Sequence, residues 1–69
     1  MKAEIISIGD ELLIGQVINT NQAFLAEQLN SIGIPVTRMS TVGDTEGAIL
    51  EAFDSAWTSH EIIVVTGGL

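Results

Sequence analysis

Two nearly continuous β-branched runs limit what this chain can fold into: Ile5-Ile6-Ser7-Ile8, closed by Gly9, and Ile62-Ile63-Val64-Val65-Thr66, closed by Gly67-Gly68. A strand with one wet face alternates apolar and polar residues. A strand covered on both faces does not, so Glu4 to Ile8 and Glu61 to Thr66 read as strands of a parallel sheet, the second in a central position. Ile34 to Val42 alternates more and opens with Pro35, which suits an edge strand because proline donates no ladder hydrogen bond.

Two helices fit between the strands. From Thr20 to Ser31, Phe24, Leu25, Leu29 and Ile32 fall at helical spacings, with Asn19, Thr20 and Asn21 offering capping oxygens and Gly33 a stop. From Thr45 to Ser59, Ile49, Phe53 and Trp57 recur every four residues beside Leu50. Asp44 is the predicted N-cap and Glu46 suits the helix dipole. Gly47 is a weak point, costing up to ~1 kcal/mol against alanine in a helix interior, though less in a first turn. The predicted order is strand, helix, strand, helix, strand: an α/β chain, the amino-terminal βαβαβ half of a doubly wound domain with right-handed crossovers. Residues 1–69 are expected to be incomplete at the C-terminus, because a central strand ending the chain leaves an edge or a face uncovered.

Length supports the same expectation, since 69 residues bury only ~60% of the surface their unfolded chain exposes. With no cysteine, neither disulfides nor thiolate metal sites reinforce the core, and no thiol nucleophile exists. No apolar run approaches the ~18 residues of a membrane span, so a cytoplasmic chain without a membrane partner is expected. A net charge of −7, with Lys and Arg together numbering 2, argues against nucleic acid as partner. It also means that a phosphate would have to be held by backbone N–H groups or by a cation that the carboxylates recruit.

Three loops would follow the carboxyl ends of these strands and converge in a parallel sheet. The first, from Gly9-Asp10-Glu11 to Asn21, is a connection of a dozen residues where roughly two to six is usual, and such loops are often functional. Its adjacent acids, Asp10 and Glu11, are hard oxygen ligands for Mg²⁺ or a similar divalent cation if the chain turns between them, which Gly9 permits. The plain alternative is a polar turn in which one acid orders the loop and the other is solvated. Gly43-Asp44 forms the second loop. Thr66-Gly67-Gly68 forms the third, where missing side chains would let backbone N–H groups approach a phosphate. It lacks the fuller Rossmann and P-loop patterns. His60, Trp57, Phe53 and Met39 read as structural residues: a helix-end histidine and core side chains.

In combination, Gly9-Asp10-Glu11-Leu12-Leu13-Ile14-Gly15, Asn19-Thr20-Asn21, Thr41-Val42-Gly43-Asp44 and Thr66-Gly67-Gly68-Leu69 resemble the molybdopterin-binding domain of the competence/damage-inducible protein A (CinA) family, over the whole chain. The resemblance implies a three-layer α/β/α fold and a ligand that carries phosphate. In CinA-type proteins this domain is associated with metal-dependent hydrolysis of ADP-ribose, and a separate amidase domain often follows. In relatives from molybdenum-cofactor biosynthesis it binds or adenylylates molybdopterin. Carried over by motif, Asp10, Glu11 and Asp44 become catalytic candidates, with Asp10 and Glu11 as metal ligands. Gly9, Asn21, Thr66, Gly67 and Gly68 become ligand-contacting candidates. The family pattern runs on past Leu69 with Gly-Pro-Thr and a further Asp, so the 69-residue chain itself is expected to be inactive. Relatives often carry an acid where Gly47 stands.

The leading reading is therefore part of a metal-dependent ADP-ribose pyrophosphatase. The alternatives are a molybdopterin-binding or adenylyltransferase domain and a non-catalytic binding or assembly module. An open strand edge also predicts self-association into a homo-oligomer or aggregate.

Overall fold

The structure, a computed structural model, describes residues 1–15 and 19–67. In chain order the elements are β1 (Ala3–Ile8), α1 (Asp10–Leu13), α2 (Thr20–Ser31), β2 (Val36–Val42), α3 (Glu46–Trp57) and β3 (Ile62–Gly67). The strands form one parallel sheet in the order β2-β1-β3. The first crossover runs from β1 to β2 and the second from β2 back across β1 to β3, so these opposite directions, with right-handed connections, send α2 and α3 to opposite faces. This is the three-layer α/β/α arrangement expected from the sequence.

Every residue of β1 is buried, as its unbroken apolar run requires of a strand with neighbours on both edges and helices on both faces. Ile6 and Ile8 join Ala56 in the core, against which Val42, Ile49, Ala52, Phe53 and Ile63 pack. On α2 the half-buried positions are Gln22, Leu25, Ala26 and Leu29, a stripe at helical spacing. Gly33, at φ 85°, ends that helix as expected.

Among the described residues β1 lies between β2 and β3, and β3 leaves one edge of the sheet uncovered. Several expectations need correction. Strand β2 begins after Pro35, whose carbonyl accepts the Ala3 N–H at 2.9 Å. The first connection is not all loop, since one helical turn, α1, occupies Asp10–Leu13. Asp44 does not cap α3: Thr45 does, its hydroxyl accepting the Ala48 N–H at 3.3 Å. Asn19 is the residue that caps α2, through the Gln22 N–H. Trp57 and Met39 are exposed, not core, while Phe53 packs as expected. A repeat of four advances about 40° around a helix of 3.6 residues per turn at each step. Trp57 has therefore rotated about 80° from Ile49 and off the core face.

Candidate functional site

Parallel register sets the three carboxyl ends level, with Ile8 opposite Val42 on one side and Gly67 on the other. In a sheet ordered β2-β1-β3 the strand order reverses between β1 and β3, and such switch points are where open α/β sheets leave a crevice for ligands. Gly9, Gly43 and Gly67 stand at these three ends.

Gly9 is buried and its N–H donates to the Val42 carbonyl at 3.0 Å, fastening the first loop to β2. Asp10 then starts the α1 turn, and its Oδ1 accepts the Asp44 N–H at 3.0 Å. The same oxygen would lie 3.0 Å from a Cβ added at Gly43, so this glycine makes room for the Asp10 carboxylate. Glu11 folds back over Gly9, where an added Cβ would fall 2.7 Å from its Oε1. Asp10, Glu11 and Asp44 are all exposed. α1 puts a helical turn at the two acids, with the Asp10 carboxylate directed to Gly43 and Asp44 and that of Glu11 to Gly9.

Gly67 is held most tightly. It sits at φ 89°, and an added Cβ would meet the Ile8 carbonyl oxygen at 2.2 Å, so backbone lies directly against backbone. Thr66 is a strand residue whose hydroxyl donates to that of Ser7 at 3.2 Å. Its side chain therefore fastens β3 to β1 below the loop. Ser7, fully buried, escaped the sequence reading because it looks like an interruption in an apolar strand. Asn21 is exposed in the first turn of α2. Gly68 lies outside the described residues.

Among the described residues no group of three or more His, Cys, Asp or Glu side chains is placed to hold a metal ion. Asp10 and Glu11 supply hard oxygens of the kind Mg²⁺ accepts, and Mg²⁺ commonly takes one or two carboxylates and completes its shell with water and ligand phosphates. The two cationic side chains are remote: Lys2 precedes β1, and Arg38 is paired in register with Glu4 near the opposite end of the sheet. No fixed positive charge on a described side chain therefore serves the loop end.

Comparison with known proteins gives a consistent result. A family profile described as "Probable molybdopterin binding domain" matches residues 4–69. The "Putative competence-damage inducible protein" of Clostridioides difficile (strain 630) is 51% identical over all 69 residues, which are 16% of that relative. The "CinA-like protein" of Kosmotoga olearia is 49% identical over the whole chain, 17% of its own length. The crystal structure of the protein CinA from Thermoplasma acidophilum, whose function is described as unknown, superposes with a TM-score of 0.94 at 37% identity. That match covers 99% of this chain and 40% of the other. The chain thus spans about one sixth of the length of these curated relatives.

Proposed function

The chain belongs to the probable molybdopterin-binding domain family, in the form found in CinA-like proteins, and from that premise we propose that its strand ends form part of a site for a phosphate-bearing ligand. The parent activity we propose is metal-dependent hydrolysis of ADP-ribose: water adds to one phosphorus, the bridging P–O bond breaks, and AMP and ribose 5-phosphate leave. The observation that carries this reading is the junction of the three glycine-bearing strand ends. There Asp10 is fixed by the Asp44 N–H and Gly67 lies bare against Ile8.

Each residue has a defined task in this proposal. Asp10 and Glu11 would hold a divalent cation, which would neutralise phosphate charge and lower the pKa of bound water. The Asp44 backbone orients Asp10 by occupying one of its oxygens. Gly67, whose missing side chain lets it close against the Ile8 carbonyl, sets where the loop after β3 begins, and the backbone N–H groups of that loop would contact a phosphate. The dependence on metal follows from charge, because a chain at −7 with no cation at the loop end repels a bare diphosphate.

Calorimetric titration of ADP-ribose with and without Mg²⁺ tests the proposal. Binding that requires Mg²⁺ and falls in Asp10→Asn supports it, and binding indifferent to both overturns it. The family's own description keeps a second reading in place, in which the same loops take the phosphate of molybdopterin. Tighter binding of molybdopterin than of ADP-ribose would favour that one.

A further inference from the structure

Glu4 is the one charged residue buried among the described residues, at 1% exposure, and its carboxylate is incompletely served. Oε2 accepts the Ser40 hydroxyl at 2.6 Å and lies 3.8 Å from Arg38 Nε. Oε1 is buried and has no hydrogen-bond donor among the described residues. His60 Nδ1 stands 3.4 Å from it, but Ser59 Oγ is nearer to that nitrogen at 3.0 Å, and Nε2 lies 2.8 Å from Thr37 Oγ1. A buried carboxylate oxygen without a donor is destabilising, and this encourages recruitment of one from outside the chain.

Glu4 also lines a groove of about 580 Å³ between β2 and α3, within the range of roughly 300–1,000 Å³ typical of small-molecule sites. Leu13 and Gly43 line its other end, beside the Asp10–Asp44 bond, while Ala48 and Ala52 contribute a low apolar wall from α3. From Arg38 to Gly43 the groove follows β2 for roughly 16 Å at about 3.3 Å per residue. One continuous depression therefore joins the strand-end loops to the buried carboxylate.

We infer that this groove holds the remote half of the ligand, with Glu4 as a specificity-determining acceptor. The inference rests on the phosphate-site reading above. The ligand class is elongated and unequal in charge: anionic at Gly43 and Gly67, and neutral or cationic at Glu4, where a carboxylate repels anions and selects a ring amide, an exocyclic amine or another N–H donor. Arg38, with its side chain 56% exposed beside Glu4, offers a planar guanidinium that can cover a flat ring. Ser40, already donating to Glu4, leaves its oxygen free to accept from the same ring.

The test compares two probes on the whole chain by calorimetry in Mg²⁺: ADP-ribose, long enough to reach Glu4, and inorganic pyrophosphate, which is not. Glu4→Gln alters the acceptor, and Ala48→Trp fills the groove from α3 without touching Glu4, so the second variant decides if the first fails to fold. About tenfold weaker ADP-ribose binding, the order expected for losing one charge-assisted hydrogen bond, with pyrophosphate unchanged, supports the inference. Unchanged ADP-ribose binding in both variants overturns the groove and leaves the phosphate site standing. Equal weakening of both probes also overturns it, because the substitutions would then be acting through the fold. If the unmodified chain binds neither probe, the phosphate reading fails and the groove with it.

Discussion

The Asp10 carboxylate accepts the backbone N–H of Asp44 at 3.0 Å across 34 residues of sequence, so the loop after β1 is tied directly to the loop after β2. The main chain of Asp44 makes this contact, which leaves its own carboxylate exposed. Asp10→Asn keeps an acceptor oxygen and should change stability little, while weakening Mg²⁺-dependent ADP-ribose binding about tenfold or more through loss of a charged ligand. Asp10→Ala should additionally cost about 1 kcal/mol for the unmade hydrogen bond. Urea unfolding beside calorimetry separates the two effects, and equal binding by the wild type and Asp10→Asn would remove Asp10 from the site.

Gly67 and Gly47 should respond oppositely to alanine. At Gly67 a Cβ would fall 2.2 Å from the Ile8 oxygen at φ 89°, and both the clash and the left-handed backbone predict a loss of about 2 kcal/mol or more. At Gly47 a Cβ meets nothing within 4 Å, in a helix where alanine is preferred. Gly47→Ala should stabilise by up to about 1 kcal/mol. Thermal melts of the pair check both signs.

The start of α3 gives a second paired prediction. Thr45 caps the helix through the Ala48 N–H, so Thr45→Ala should cost about 1 kcal/mol. Asp44→Ala retains its N–H and therefore its bond to Asp10, and should cost less than half of that. The reverse order in denaturant midpoints would restore Asp44 as the cap.

What the sequence disclosed depended on distance along the chain. Helix α2 has the expected bounds, Thr20 to Ser31, because its caps and stop act within one turn. The runs at β1 and β3 announced parallel strands, because burial on both faces leaves no polar alternation. Strand order was not written locally: whether β1 or β3 is central depends on which way the second crossover turns. Glu4 stayed hidden for the same reason, since Ser40, Arg38 and His60 reach it only through parallel register and the turn after α3. Choosing Asp44 over Thr45 as a cap was a one-residue matter of backbone geometry, to which residue preference is blind. At the site, the glycines and acids were readable as a pattern, but the Asp10–Asp44 bond was not.

Acid should weaken the join between β1 and β3 at their amino ends. The Glu61 carboxylate accepts the Lys2 backbone N–H at 2.7 Å, and that bond, followed by attraction to the Met1 amino group and Lys2, outweighs desolvation and holds its pKa below the usual 4.5. A depressed carboxylate pKa means that the unfolded chain takes up the proton first. The contribution is complete above 4.5 and disappears as pH falls through the folded value. Glu61→Gln should flatten the melting temperature profile below pH 4.5 and leave it unchanged near neutrality. An identical acid slope in both proteins would assign the slope to other carboxylates.

The two edges of the sheet are unequally protected, and this predicts how the 69-residue chain behaves at high concentration. On β2, Pro35 precedes the strand, Arg38 places a charge on it, and the register shifts between the partners of Ala3 and Glu4, leaving Thr37 as the extra residue of a bulge. Proline, charge and bulge are the usual devices that stop strands from adding to an edge. On β3 the sequence Ile-Ile-Val-Val-Thr-Gly has none of them. Val65 is 41% exposed and Trp57 on the neighbouring helix 76%. Self-association should therefore run through β3 and grow with added salt, which screens the charge of −7. Val65→Lys adds a charge at the one exposed apolar side chain of β3 and should shift the sedimentation profile toward monomer. A matching charge on β2, Thr41→Lys, should not. Equal suppression by both substitutions would mean that net charge, rather than the unprotected edge, controls association.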